Sequence, residues 1–174
     1  MDLPATGRIL DVGCGTGALL LDISRIRPGA LLAGADLSHA MLLVARARLG
    51  PRALLAEADA VALPFPAGAF DLVVSASALH HWPDLAAALS EMRRVLAPGG
   101  RLAITDWCAD RWLDRIRDRV YRGLEPAHQR ALRSDELASL LADAGFSDVR
   151  VERWRIGFRW GMMTGLGAIP SPAP

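Results

Sequence analysis

Ile9-Leu10-Asp11-Val12-Gly13-Cys14-Gly15-Thr16-Gly17 is the stretch whose reading decides the fold. The apolar run Ile9, Leu10 and Val12 ends at a turn with three glycines, and Ala18, Leu19, Leu20 and Leu21 then open a helical pattern. Strand, tight turn and helix in that order place a loop of bare amides at a helix start. Glycine tolerates positive φ and lets a ligand approach the main chain, and free N–H groups at a helix start favour a carboxylate or phosphate. Gly13, Gly15 and Ala18 fit the spacing G-x-G-x-x-G/A. Asp36 follows roughly 20 residues on, where an acid meets ribose hydroxyls. These features alone admit NAD or any other adenosine-containing cofactor.

Working outward, 174 residues suit one domain with a substantial core, and 52% apolar residues suit a globular chain. A net charge of +1 gives no global case for nucleic acid. Cys14 and Cys108 offer neither a disulfide framework nor zinc spacing, so no metal is expected. No apolar run reaches the roughly 18 residues of a membrane span, and Met1–Arg8 is not a signal peptide, so a cytoplasmic location is expected.

Strands are predicted over Arg8–Val12, Ala30–Asp36, Ala53–Ala56, Asp71–Ser75 and Arg101–Thr105. Helices alternate with them: Gly17–Arg27, a helix capped by Ser38 with Met41, Leu42, Ala45 and Leu49 inward, and one from Asp84 to Leu96. Such alternation predicts a parallel, doubly wound sheet. Right-handed crossovers then bring the Gly13–Gly17 turn, Asp36, Asp59, Ala76–His81 and Asp106 to one rim. Arg111–Arg122 reads as an amphipathic helix over that rim, with Trp112, Ile116 and Val120 apolar and pairs Asp114–Arg117 and Asp118–Arg122 at helical spacing. A further helix, Asp135–Ala144 capped by Ser134, precedes two strands, Asp148–Arg155 and Phe158–Thr164, expected to be antiparallel. Gly165–Pro174 is Gly- and Pro-rich and expected to fray.

Four blocks in register carry a family likeness: ILDVGCGTG (9–17), GADLSHAM (34–41), EADAVALPFPAGAFDLVVSASALHHWPD (57–84) and EMRRVLAPGGRLAIT (91–105), joined by ELASLLADAGF (136–146). In these the chain resembles class I S-adenosylmethionine-dependent methyltransferases, in the branch of the ubiquinone and menaquinone C-methyltransferases. The resemblance implies a three-layer Rossmann-like α/β sheet of seven strands, order 3-2-1-4-5-7-6, with strand 7 antiparallel. It implies residues 1–165 as a single domain without the family's usual N-terminal helices, 107–133 as a partial lid, and 166–174 as a flexible tail. The pocket is then expected to be open, or covered by a homo-oligomeric or other partner subunit, unless the chain is trimmed.

The resemblance also implies a cofactor site. Asp11 and the amides around Gly13, Cys14, Gly15 and Gly17 would hold the methionine end. Asp36 would bind the ribose hydroxyls, Leu37 pack on adenine, and Asp59 with the Ala60 amide meet the adenine edge. The carbonyl near Ala76 would face the cofactor's amino group. Asp11 beneath the turn suits an ammonium better than a pyrophosphate, which sets S-adenosylmethionine above NAD. The expected reaction is in-line methyl transfer to a small-molecule acceptor, with S-adenosylhomocysteine as product. His80 and His81 are candidate bases for an acceptor that must lose a proton; the plainer reading has one packed and the other solvated. Trp82 and Trp107 could line an acceptor pocket, and the arginines of Arg111–Arg122 could attract an anionic acceptor. The alternatives are a cofactor-binding accessory protein without turnover, and an NAD-dependent oxidoreductase. The acceptor itself, and transfer to C, O, N or S, are open.

Overall fold

The computed structural model describes residues 6–157 and 160–171. Arg8–Val12 forms the interior strand β1, hydrogen-bonded to β2 (Leu31–Asp36) on one side and β4 (Phe70–Ala76) on the other. With β3 (Ala53–Glu57), β5 (Leu96–Trp107), β6 (Ser147–Ile156) and β7 (Trp160–Ala168) they make one seven-stranded sheet, order β3-β2-β1-β4-β5-β7-β6. Only β7 runs against its neighbours β5 and β6; the other pairings are parallel. The order and the antiparallel strand are those the resemblance implies.

Successive strand residues point to opposite faces, and both faces of this sheet are apolar. One buries Ile9, Leu32, Leu72 and Val74 against Leu20 of helix α1 (Ala18–Ile26) and Leu42, Ala45 and Leu49 of α2 (His39–Leu49). The other buries Leu10, Val12, Val73, Leu102 and Ile104 against α3 (Leu85–Val95) and α5 (Ser134–Asp143). Three layers result, with the parallel strands' C-terminal ends on one rim. Caps fix the helix starts: Ser38 Oγ accepts from Met41 N, and Asp84 Oδ1 from Ala87 N.

Several boundaries differ from the sequence reading, each for a physical reason. Met41 is exposed, because the inner face of α2 follows the spacing 42-45-49 and its neighbour at 41 is turned about 100° away. Leu96 belongs to β5: it pairs with Phe70, and Ala97–Gly100 bulge out before pairing resumes at Arg101. Ser134 is inside α5 rather than its cap, since its N and Oγ both donate to Asp110. Those bonds and Arg153 overcome the opposing burial and hold the Asp110 carboxyl down to about 2. Strand β7 continues through Ala168, beyond the expected end at Thr164. Gly165 and Gly167 are not breakers there; a Cβ would lie 2.8 Å from Leu137 and 3.0 Å from Phe146. Residues 158–159 of the late strand and 172–174 of the expected tail lie outside the described residues.

Helix α4 (Trp112–Leu124) forms with both expected ion pairs, Asp114–Arg117 and Asp118–Arg122. Its polar side is turned inward: Asp118 is buried, whereas Trp112, Ile116 and Val120 are exposed.

Candidate active site

Five strand ends bring the sequence-scattered candidates to one lip. The amides of the turn after β1 are not bare, as its sequence leads one to expect. Gly13 N and Cys14 N both donate to Ala35 O of β2 at 2.8 and 3.1 Å, and Gly17 N donates to Cys14 O at 2.9 Å, because the turn closes on itself and on β2. Gly15 N donates to Asp36 Oδ2 at 2.7 Å, and Ser38 N to Asp36 Oδ1 at 2.8 Å. One carboxylate thus holds the glycine turn and the start of α2 together while keeping lone pairs for a ligand. Ala58 N donates to Asp36 O at 3.0 Å, which carries Asp59 and buried Ala60 to the same lip. Asp59 is exposed, and its Oδ1 accepts from Val61 N at 3.2 Å. Leu37 is exposed beside Asp36.

Gly13 has φ 74° and faces the loop after β4 so closely that a Cβ would sit 2.4 Å from Ala78 Cβ. Gly13→Ala is therefore expected to cost roughly 2 kcal/mol from left-handed strain and overpacking, a fall of about 5 °C in thermal melting. Gly15 also has positive φ, 52°, but a Cβ there would meet open space, as a ligand-facing position requires.

Asp11 lies under this turn, 2% exposed, and its Oδ1 has no hydrogen-bond partner. Burial first, then the charge of Asp36, push its carboxyl up to about 7. An orphaned acid oxygen beside a second carboxylate is the complement of a cationic ligand. Cys14 is buried, and desolvation followed by the charges of Asp11 and Asp36 pushes its thiol up to about 12. It is a packing residue, 2.8 Å from where a Gly34 Cβ would be, and not a nucleophile.

The other wall is aromatic and imidazole. Ser77 after Ala76 adopts φ 55°, and its N donates to Thr105 O. The chain then makes a 3-10 turn, Leu79–His81. His80 is buried; its Nδ1 lies 2.7 Å from Asp106 Oδ1 and its N donates to Asp106 Oδ2. The His80 ring stacks on Trp107 at 4.8 Å and 14°. His81 is partly exposed, its Nδ1 3.0 Å from Ala127 O. Trp82 packs on the core and faces Gly13.

The sequence places Asp106 on the rim but marks neither its partner nor a role for His128. His128 Nε2 lies 2.8 Å from Asp118 Oδ1 of α4, and its ring is 5.1 Å from His80. Gln129 N donates to His80 O, pinning the segment after α4 to the His80 loop, and Tyr121 of α4 meets Trp107 edge-on at 5.1 Å. No periodicity marks His128 in the sequence, and Asp118 already had a helical partner in Arg122.

Residues 10–104 match a family model described as a methyltransferase domain. The chain belongs to the class I S-adenosylmethionine-dependent methyltransferases. A demethylmenaquinone methyltransferase of Thermus thermophilus is 47% identical over 106 residues, 59% of this chain and 48% of the relative. A malonyl-[acyl-carrier protein] O-methyltransferase of Geobacter sulfurreducens is 38% identical over 161 residues, 83% of this chain and 57% of the relative. The chain thus spans about half the length of these relatives. A solved methyltransferase from Methanosarcina mazei superposes with a TM-score of 0.80 at 22% identity, covering 97% of this chain and 95% of that one. The stretch matched to the methyltransferase family includes the glycine turn, Asp36, Asp59 and His80, and stops short of Asp106, Asp118 and His128. Among the described residues no cluster could hold a metal ion, and no helix is long and apolar enough to cross a membrane.

Proposed function

We propose that the chain transfers a methyl group from S-adenosylmethionine to a small-molecule acceptor by in-line displacement. The observation that carries this reading is the buried, unpartnered Asp11 oxygen beneath the glycine turn, with Asp36 beside it. That donor set fits a ligand with an ammonium, a sulfonium and ribose hydroxyls, and does not fit a pyrophosphate. When bound, the cofactor supplies a methyl group already made electrophilic by sulfonium.

The protein's part is placement. Asp11 and the Gly13–Gly17 turn would take the amino-acid end, with the Ala76 carbonyl facing its ammonium. Asp36 would take the ribose hydroxyls, Leu37 would cover adenine, and Asp59 with the Ala60 amide would meet its edge. Holding donor and acceptor in line contributes several kcal/mol without any covalent step on the enzyme. The segment 107–133, pinned over His80 through Gln129, would shield the acceptor as a partial lid.

For an acceptor that loses a proton, His80 is the better-placed base. Asp106 fixes its Nδ1, and its Nε2 carries no hydrogen bond among the described residues. His80→Asn is expected to lower kcat about a hundredfold on such an acceptor while leaving S-adenosylhomocysteine affinity within about twofold. His81→Asn should change kcat by less than about threefold.

Radiolabelled methyl transfer across a panel of quinols, phenols and carboxylic acids tests the reading. Incorporation into one class supports it. Cofactor binding with no transfer to any member would favour an accessory role instead. The named relatives act on a demethylated menaquinone and on a malonyl group carried by protein, so the panel starts with naphthoquinols and acyl carboxylates.

A further inference from the structure

We propose that the outward face of α4 docks the protein onto an anionic lipid surface. Trp112, Ile116, Val120 and Leu124 recur every four residues, and Leu113 lies beside them. All five are exposed, from 38% for Leu113 to 74% for Leu124. The orientation is set by the polar side: buried Asp118 accepts from Arg122 and Ala131 N and bonds His128, which binds that side to the protein and turns the stripe outward. An amphipathic helix is thus anchored by its polar residues and presents its apolar ones, the reverse of a core-facing helix.

The charge around the stripe selects the occupant. Between Arg111 and Glu125 stand five arginines against three acids, in a chain of net charge +1. Asp114 and Asp118 are occupied by Arg117 and Arg122, whereas Arg111, Arg115 and Arg119 are exposed and make no ion pair among the described residues. Two copies of the chain meeting across this face would oppose these arginines. The face is about 20 Å by 10 Å and convex, narrower than the about 800 Å² a side of a stable protein interface. A bilayer moulds to such a helix: the apolar side chains enter the acyl boundary, arginines meet lipid phosphates, and Trp112 suits the interface. Because Tyr121 and His128 tie the inner side of α4 to Trp107 and His80, docking would set the candidate acceptor site next to the bilayer, within reach of a lipid-dissolved acceptor.

Vesicle flotation of the whole chain tests this. Phosphatidylcholine vesicles with about 30% phosphatidylglycerol are expected to carry at least about tenfold more protein than pure phosphatidylcholine, and about 0.5 M salt should release most of it. The double variants Trp112→Ser with Ile116→Ser, and Arg115→Glu with Arg119→Glu, should each lose about tenfold. S-adenosylhomocysteine titration of the same proteins should be unchanged, which reports folding and keeps this test apart from that of the cofactor site. No flotation, equal flotation on both vesicles, or retention by both variants overturns the proposal. So does sedimentation that shows a dimer dissociated by the serine variant.

Discussion

Asp36→Ala is expected to weaken binding of S-adenosylmethionine and S-adenosylhomocysteine at least about a hundredfold. This carboxylate does two things at once. Its oxygens accept from Gly15 N at 2.7 Å and Ser38 N at 2.8 Å, fixing the turn to the start of α2. Its remaining lone pairs are the only acidic acceptors that the β2 end offers to ribose hydroxyls in the proposed pose. Hydrogen bonds to a charged group are each worth about 1.5–3 kcal/mol, and two of them correspond to a hundredfold or more. Calorimetric titration checks it. An affinity within about threefold of the parent would remove Asp36 from the site.

Asp11→Asn is expected to act in opposite directions on stability and on binding. Folding raises the Asp11 carboxyl from its ordinary value to about 7, through burial and then the charge of Asp36. At a pH below about 4 the group is neutral in both folded and unfolded chains and costs nothing. Between about 4 and about 7 the unfolded chain ionises first and stability falls; above about 7 the full penalty of about 4 kcal/mol stands. Asparagine avoids that penalty. Urea melts should therefore show Asp11→Asn more stable than the parent by a few kcal/mol at pH 8 and nearly equal at pH 4. Its affinity for the cationic cofactor should fall at least about tenfold at pH 8, where the parent carboxylate is charged. A variant no more stable at pH 8 would contradict a buried, uncompensated acid at Asp11.

The parts legible in the sequence were those fixed by local pattern. Ile9–Gly17 could only be strand, turn and helix, and Asp36 follows from where β2 must end. The late strands were legible as an antiparallel pair, but the end of the second was not. Gly165 and Gly167 look like breakers, and the Leu137 and Phe146 side chains that require glycine there belong to α5 and the segment after it. The amphipathic pattern of α4 showed that an apolar face exists without saying which side is buried. That choice is made by Asp118 with His128 and Ala131 N, contacts beyond one helical turn. In the same way Asp106 and His80 stand on different strand ends, and only the β4–β5 pairing that aligns Ala76 with Thr105 brings them together.

The central claim is that the acids and the glycine turn along this lip hold an adenosyl sulfur compound. Crystals of the chain soaked with S-adenosylhomocysteine test it most directly. Both ribose hydroxyls are expected within hydrogen-bond distance of Asp36, with the amino-acid end over Gly13–Gly15 beside Asp11. A saturating soak that leaves this groove empty, or seats the ligand elsewhere on the molecule, would contradict it.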